Sequence, residues 1–133
     1  MSGSAIVRYL LANNATLTAT VPASRIKVGY IRQGATLPAI SVKKISGDQE
    51  NTLSMAASSY MVSQRIQVTL ALQHGVSSSD IWALIRAALT PTGATVNGFT
   101  VLAILPDSEG PDIEDRQAIT DTSSVDYMIW FTR

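Results

Sequence analysis

The sequence predicts an α+β fold, a mixed or antiparallel β-sheet of about five to six strands packed on two helices in a single compact domain. Three observations lead there. From Tyr60 to Leu72 the apolar residues Tyr60, Val62, Ile66, Val68, Leu70 and Leu72 fall on alternate positions, while Ser63, Arg65, Gln67, Thr69 and Gln73 take the other face, the period of a strand buried on one side. After His74-Gly75, the capping residues Ser77, Ser78, Ser79 and Asp80 precede Ile81, Leu84, Ile85, Ala88 and Leu89, which share one helical face. Asn97-Gly98 between Val96 and Phe99 carries the residue pair of a type I′ hairpin turn.

The remaining elements follow in order. Ser4 is expected to cap a first helix running to about Asn13, with Ile6, Val7, Leu10 and Leu11 as its apolar stripe and Asn13-Asn14 as its stop. Leu17 and Val21 anchor an irregular connector. Arg25 to Ile31 reads as a strand with Ile26, Val28 and Tyr30 on one side; Gly34 breaks it, and Leu37-Pro38-Ala39 leads into a second strand, Ile40 to Ile45. The polar stretch 46–59 reads as a long loop or flap within the domain 1–133, and loops of that length usually have a function or are disordered. Phe99 to Leu105 partners Thr95 and Val96, an acidic connector spans Pro106 to Arg116, and a last strand runs from about Thr122 to Thr132.

Charge is balanced overall and unevenly placed. Up to Ile66 there are seven basic residues and two acids, a balance of +5; the remainder has three basic and eight acidic residues, a balance of −5. Two readings fit, internal pairing within one domain or a basic face of one copy meeting an acidic face of the next. A neutral chain is poorly suited to tight duplex DNA binding. Cysteine is absent, which removes disulfides, thiolate nucleophiles and cysteine-ligated metals and is compatible with assembly inside a cell. Met1-Ser2-Gly3-Ser4 has no basic, apolar leader pattern and no apolar run is long enough to span a bilayer, so neither secretion nor membrane insertion is expected.

Reactive chemistry is sparse. His74 is the only histidine, which rules out a paired-histidine metal site and leaves a turn histidine as the simplest reading. Asp107, Glu109, Asp112, Glu114 and Asp115 are interrupted by Pro106, Gly110 and Pro111 and lack EF-hand spacing, so they read as a solvated or partner-facing loop. The glycines match neither dinucleotide- nor P-loop patterns, and no serine sits in a nucleophile elbow. No catalytic residue, cofactor or metal is expected. Trp82 and Trp130 read as core or interface anchors, either of which could be a binding hot spot.

The order and spacing of these elements resemble the tail-completion (tail-terminator) family of long-tailed bacteriophages. The residues that carry the likeness are Leu10-Leu11, Leu17 and Val21; Arg25-Ile26; Leu37-Pro38-Ala39-Ile40; Ile66-Gln67-Val68-Thr69-Leu70; Ile81, Leu84, Ile85 and Leu89; and Val96-Asn97-Gly98-Phe99. The resemblance implies a structural virion protein, not an enzyme, assembled in the host cytoplasm. It implies a ring, hexameric in the family, at the head-proximal end of the tail tube, ending tail assembly and joining the tail to the head connector. Implied partners are further copies of itself, the tail-tube protein and the connector, with genomic double-stranded DNA only in passage. The length of 46–59 and the acidity of Asp107 to Asp115 depart from the family pattern. On this reading Arg25, Lys27, Arg32, Lys43, Lys44, Asp121 and Asp126 are candidates for the contact between copies. Asp107, Glu109, Asp112, Glu114 and Asp115 are candidates for the lumen or a docking loop, and Asp48, Glu50 and Met55 for a flap against the tail tube. A head–tail connector or adaptor at the same junction is the alternative within phage biology; a small hydrolase or ligand-binding domain using His74 and the acidic loop is the alternative outside it.

Overall fold

Ile6, Val7 and Leu11 form the fully buried stripe of α1 (Gly3–Ala12), as their spacing requires. This computed structural model describes residues 3–31, 36–50, 61–73, 78–89, 95–96, 98–110, 113–115 and 120–132. The helix begins one residue before the expected cap: Ser4 is buried in its first turn. The reason is tertiary, because the Gly3 N–H donates to Gln64 Oε1 at 2.7 Å, so a β-strand side chain serves one of the donors that a local cap would have served. A Cβ at position 3 would lie 2.6 Å from that oxygen and 3.0 Å from Ile129 Cγ2, so a larger residue there would have to displace the Gln64 side chain that serves the helix end.

Asn13 and Asn14 divide the work expected of them. Asn13 ends α1 through its N–H and its side-chain amide, both donating to the Tyr9 carbonyl. Asn14 opens a short helix, α2 (Ala15–Thr18), by accepting from the Leu17 N–H at 3.0 Å, so the expected connector has a helical turn that buries Leu17. A 3₁₀ turn (Ala23–Arg25) then enters β1 (Ile26–Val28). This strand is shorter than its apolar pattern suggested. Gly29 follows at φ +113°, and Val28 and Tyr30, expected on the same side of the strand as Ile26, are 51% and 76% exposed while Ile26 is buried.

The sheet continues with β2 (Ala39–Glu50), β3 (Met61–Gln73), β4 (Thr95–Val96), β5 (Phe99–Glu109), β6 (Ile113–Asp115) and β7 (Thr120–Thr132), while α3 (Ser79–Ala88) links β3 to β4. Among the described residues the order is β1-β2-β3-β7-β5-β4, with β6 paired to β7 off that path. Only β1·β2 is parallel; all other pairs are antiparallel, giving the mixed sheet of an α+β fold.

Two segments expected as loops are strands. Ser46 to Glu50 extends β2, each residue with a partner on β3 from Arg65 to Met61, so 46–50, including Asp48 and Glu50, is strand where a loop was expected; residues 51–59, with Met55, lie outside the described residues. The stretch lacks alternating apolar residues and is carried as a continuation of the ladder, past a bulge between Lys44 and Ser46. The acidic connector is likewise strand from Pro106 to Glu109, in β5, and from Ile113 to Asp115, in β6. Pro106 is tolerated because it lies on β5 next to a register shift between Pro106 and Ser108.

One face of the sheet and the helices share the core. Ile40, Val42, Ile66, Val68, Leu70, Leu72, Val101, Ile104, Tyr127, Ile129 and Phe131 join Ile6, Val7, Leu11, Ile81, Ile85 and Leu89 in a single buried cluster. Phe99 meets Phe131 edge to face at 5.7 Å. The two-residue hairpin is present, with Val96 opposite Phe99 and Gly98 at φ +84°. The opposite face carries Lys43, Arg65, Gln67, Asp126, Met128 and Trp130 and is open or half-open to solvent.

Candidate interaction surface

Adjacent strands carry each charged group to a definite column of the sheet. Lys27 on β1 and Lys43 and Lys44 on β2 are exposed along one flank. Arg25, half-buried at the end of the 3₁₀ turn, donates to the Leu37 carbonyl at 3.3 Å and so braces the entry to β2. Arg8 similarly ties α1 to β1 through the Ile26 carbonyl at 3.0 Å. Arg32, Asp112 and His74 lie outside the described residues.

Asp48 and Glu50 share β2 with the lysines, and the candidate acids of β5, β6 and β7 lie on the other flank and in the middle of the sheet. Arg65 on β3 is clamped by Asp126 on β7, at 3.0 Å, and by Asp107 on β5; its guanidinium also reaches Ser108 Oγ, which bonds Asp126. The Asp126 hydrogen bond is the largest cause that raises the guanidinium pKa above its ordinary value, with the charges of Asp107 and Asp126 adding to it against some desolvation. One cation between two carboxylates leaves that group net negative. Asp126, a candidate for contact between copies, is thus engaged within its own chain, and Asp107 shares the same arginine. Glu109 is exposed at the end of β5. Glu114 is the register partner of Asp121, so β6 and β7 bring two acidic positions side by side, and Asp115 pairs with Thr120. The Arg65 clamp was missed by sequence reasoning, which placed Arg65 only on the polar face of its strand; a strand order that brings β3 beside β7 and β7 beside β5 is what assembles it.

A cleft of about 450 Å³ opens between α3 and the far half of β5 and β7, lined by Trp82, Arg86, Glu109 and Tyr127 among others. Trp82 donates from Nε1 to Ser123 Oγ at 2.9 Å, which fixes α3 to β7 and identifies this tryptophan as an anchor inside the chain. Burial pushes the Tyr127 phenol up, Arg86 lowers it and Glu109 raises it. Trp130 is half-buried on the open face of the sheet. Among the described residues no three His, Cys, Asp or Glu side chains gather as a metal site, and no helix is long and apolar enough to cross a membrane. The arrangement offers surfaces of opposite sign and a braced scaffold.

Among solved structures, a chain from "Virion of native gene transfer agent (GTA) particle" superposes with a TM-score of 0.67 at 10% identity, covering 100% of both chains, which shows a shared fold. A second solved chain, at a TM-score of 0.49 and 15% identity over 99% of this chain and 97% of its own, is too distant to add to this. No curated protein matches the sequence. The family model described as "Tail completion protein gp17" matches residues 5–132. That match spans α1 to β7, so the chain belongs to the tail completion protein gp17 family, structural proteins of the phage virion tail.

Proposed function

We propose that this tail-completion protein acts as a closed ring, hexameric as the family resemblance implies, at the head-proximal end of the tail tube, where it ends tube growth and presents a docking surface to the head connector. The observation that carries this reading is the separation of exposed charge on one sheet, Lys27, Lys43 and Lys44 on the β1–β2 flank and Asp107 and Glu109 on the β5 flank. Arg65 balances only one of its two carboxylates. A surface whose two sides differ in sign favours head-to-tail contacts, and head-to-tail contacts close into rings when the rotation permits. The tail-tube protein and the connector meet the two remaining faces of the ring.

Native mass spectrometry across a salt series, with the protein alone and with purified tail tubes, tests the reading. A cyclic oligomer that weakens as salt rises is expected. A strict monomer even with tail tubes present overturns it.

A further inference from the structure

Each flank of the sheet has a stretch of strand that no described residue pairs. On β2 the outer neighbour β1 covers Ile40 to Val42 and no more, leaving Lys43 to Gln49 without a partner on that side among the described residues. On β5 the outer neighbour β4 covers Phe99 and Thr100, leaving Val101 to Ser108 open among the described residues. Reading the register across β3 and β7 shows where these windows lie. Lys43, Gln67, Asp126 and Ser108 share one row; Ser46, Arg65, Met128 and Leu105 share another; Gln49, Val62, Phe131 and Val101 share a third. The windows therefore span the same rows, with β1 closing one below and β4 closing the other above.

We propose that β5 of one copy adds to the outer edge of β2 of the next, joining their sheets through these two windows; this deepens the ring reading and rests on it. Strand direction permits the joint. β2 is antiparallel to β3, β3 to β7 and β7 to β5, so β5 runs opposite to β2. Copies related by rotation about an axis along the strands thus meet as an antiparallel pair, with no inversion of either copy. Row matching places Asp107, in the register shift between Pro106 and Ser108, level with Lys43 and Lys44. It also places Leu105, 55% exposed, beside Ser46 and the bulged Ile45, 48% exposed. These are two of the few large apolar side chains left in solvent among the described residues, and the joint covers both.

Edge lysines and bulges ordinarily discourage strand addition. Here the lysines give the edge a preference: Lys43 and Lys44 attract the acidic β5 edge at Asp107, which favours head-to-tail pairing.

The chain has no cysteine, so a two-cysteine test has a clean background. In the joint Ser46 and Leu105 face each other at antiparallel-pair spacing, within disulfide reach. The S46C/L105C variant, oxidised with and without tail tubes, is expected to give a ladder of cross-linked species up to the closed ring on a non-reducing gel, while S46C and L105C alone give none. An intact ring in native mass spectrometry without the ladder overturns strand addition and leaves the ring standing. Dimers from L105C alone mean like-with-like β5 pairing and also overturn it, and a monomer under every condition overturns both proposals. Circular dichroism of each variant confirms that both exposed positions tolerate the change.

Discussion

Tyr127 shows how one side chain couples the core to the charged cleft. Its phenol is raised by burial, so the folded protein resists ionising it more than the unfolded chain does. The sign follows from linkage: the neutral form is favoured in the fold, its contribution is complete below the unfolded tyrosine pKa, and it is lost as pH climbs from there through the folded value. Tyr127→Phe is therefore expected to flatten the alkaline fall in stability while leaving stability at neutral pH within about 1 kcal/mol, since the ring stays buried and only the hydroxyl goes. Urea unfolding between neutral and strongly alkaline pH measures this; an unchanged alkaline slope means that other groups govern it. Arg65 makes a different point at the same scale. It was legible as polar, because it breaks no alternation in its strand, but its two carboxylate partners lie 42 and 61 residues further along the chain, and nothing local marks such a pairing.

Among the elements, β3 and α3 were legible because burial on one face imposes a period on the sequence, and Asn97-Gly98 because a tight hairpin restricts its residues. The ends of β2 and β5 were not. Ser46 to Glu50 has little strand preference of its own and is held by its β3 partners Met61 to Arg65, while Pro106 to Glu109 is held by β7. Ser4 misled for a related reason, since the acceptor that completes the α1 terminus comes from β3. The extended β2 also sets limits on shortening the β2–β3 connection. Removing Asp48 to Ala57 takes away rungs that the sequence had assigned to a loop, whereas removing Thr52 to Ala57 leaves Asn51, Ser58, Ser59 and Tyr60 to join Glu50 to its partner Met61. A connection of that length suffices for a hairpin, and closing a shorter loop costs little. The expected outcome is a thermal midpoint within a few degrees of the parent for the shorter deletion and a clear drop for the longer one, read by circular dichroism. Equal losses from both mean that the connection contributes to the fold.

For the whole molecule, the opposition between basic and acidic halves survives folding only in part. The Arg65 clamp uses some of it internally, while Lys27, Lys43 and Lys44 stay exposed on one flank of the sheet and Asp107 and Glu109 on the other. If a ring forms, passing DNA is a polyanion that a basic wall would hold back and an acidic or small polar wall would leave mobile. Of the acidic segment, Asp112, Glu114 and Asp115, which the strand joint does not use, are the leading candidates for that wall. Charge reversal of Asp112, Glu114 and Asp115 to lysine is expected to leave the protein folded and to slow or block DNA ejection from complete particles. Ejection at the parent rate removes the segment from the lumen, and an accumulation of separate heads and tails reassigns it to connector docking.

The position of β7 has a consequence for the time course of biosynthesis. Although it follows every other described element along the chain, it lies inside the sheet and binds β3 on one side and β5 and β6 on the other. Until Thr120 to Thr132 has left the ribosome, the β2–β3 ladder and the β4–β5 hairpin have no common strand to join them. Long-range pairing of this kind closes late. A nascent or prematurely terminated chain without β7 thus lacks the spatial relation between its two flanks that the proposed strand addition requires. If copies join as proposed, chains that lack β7 have no matched pair of edges and are kept out of the ring.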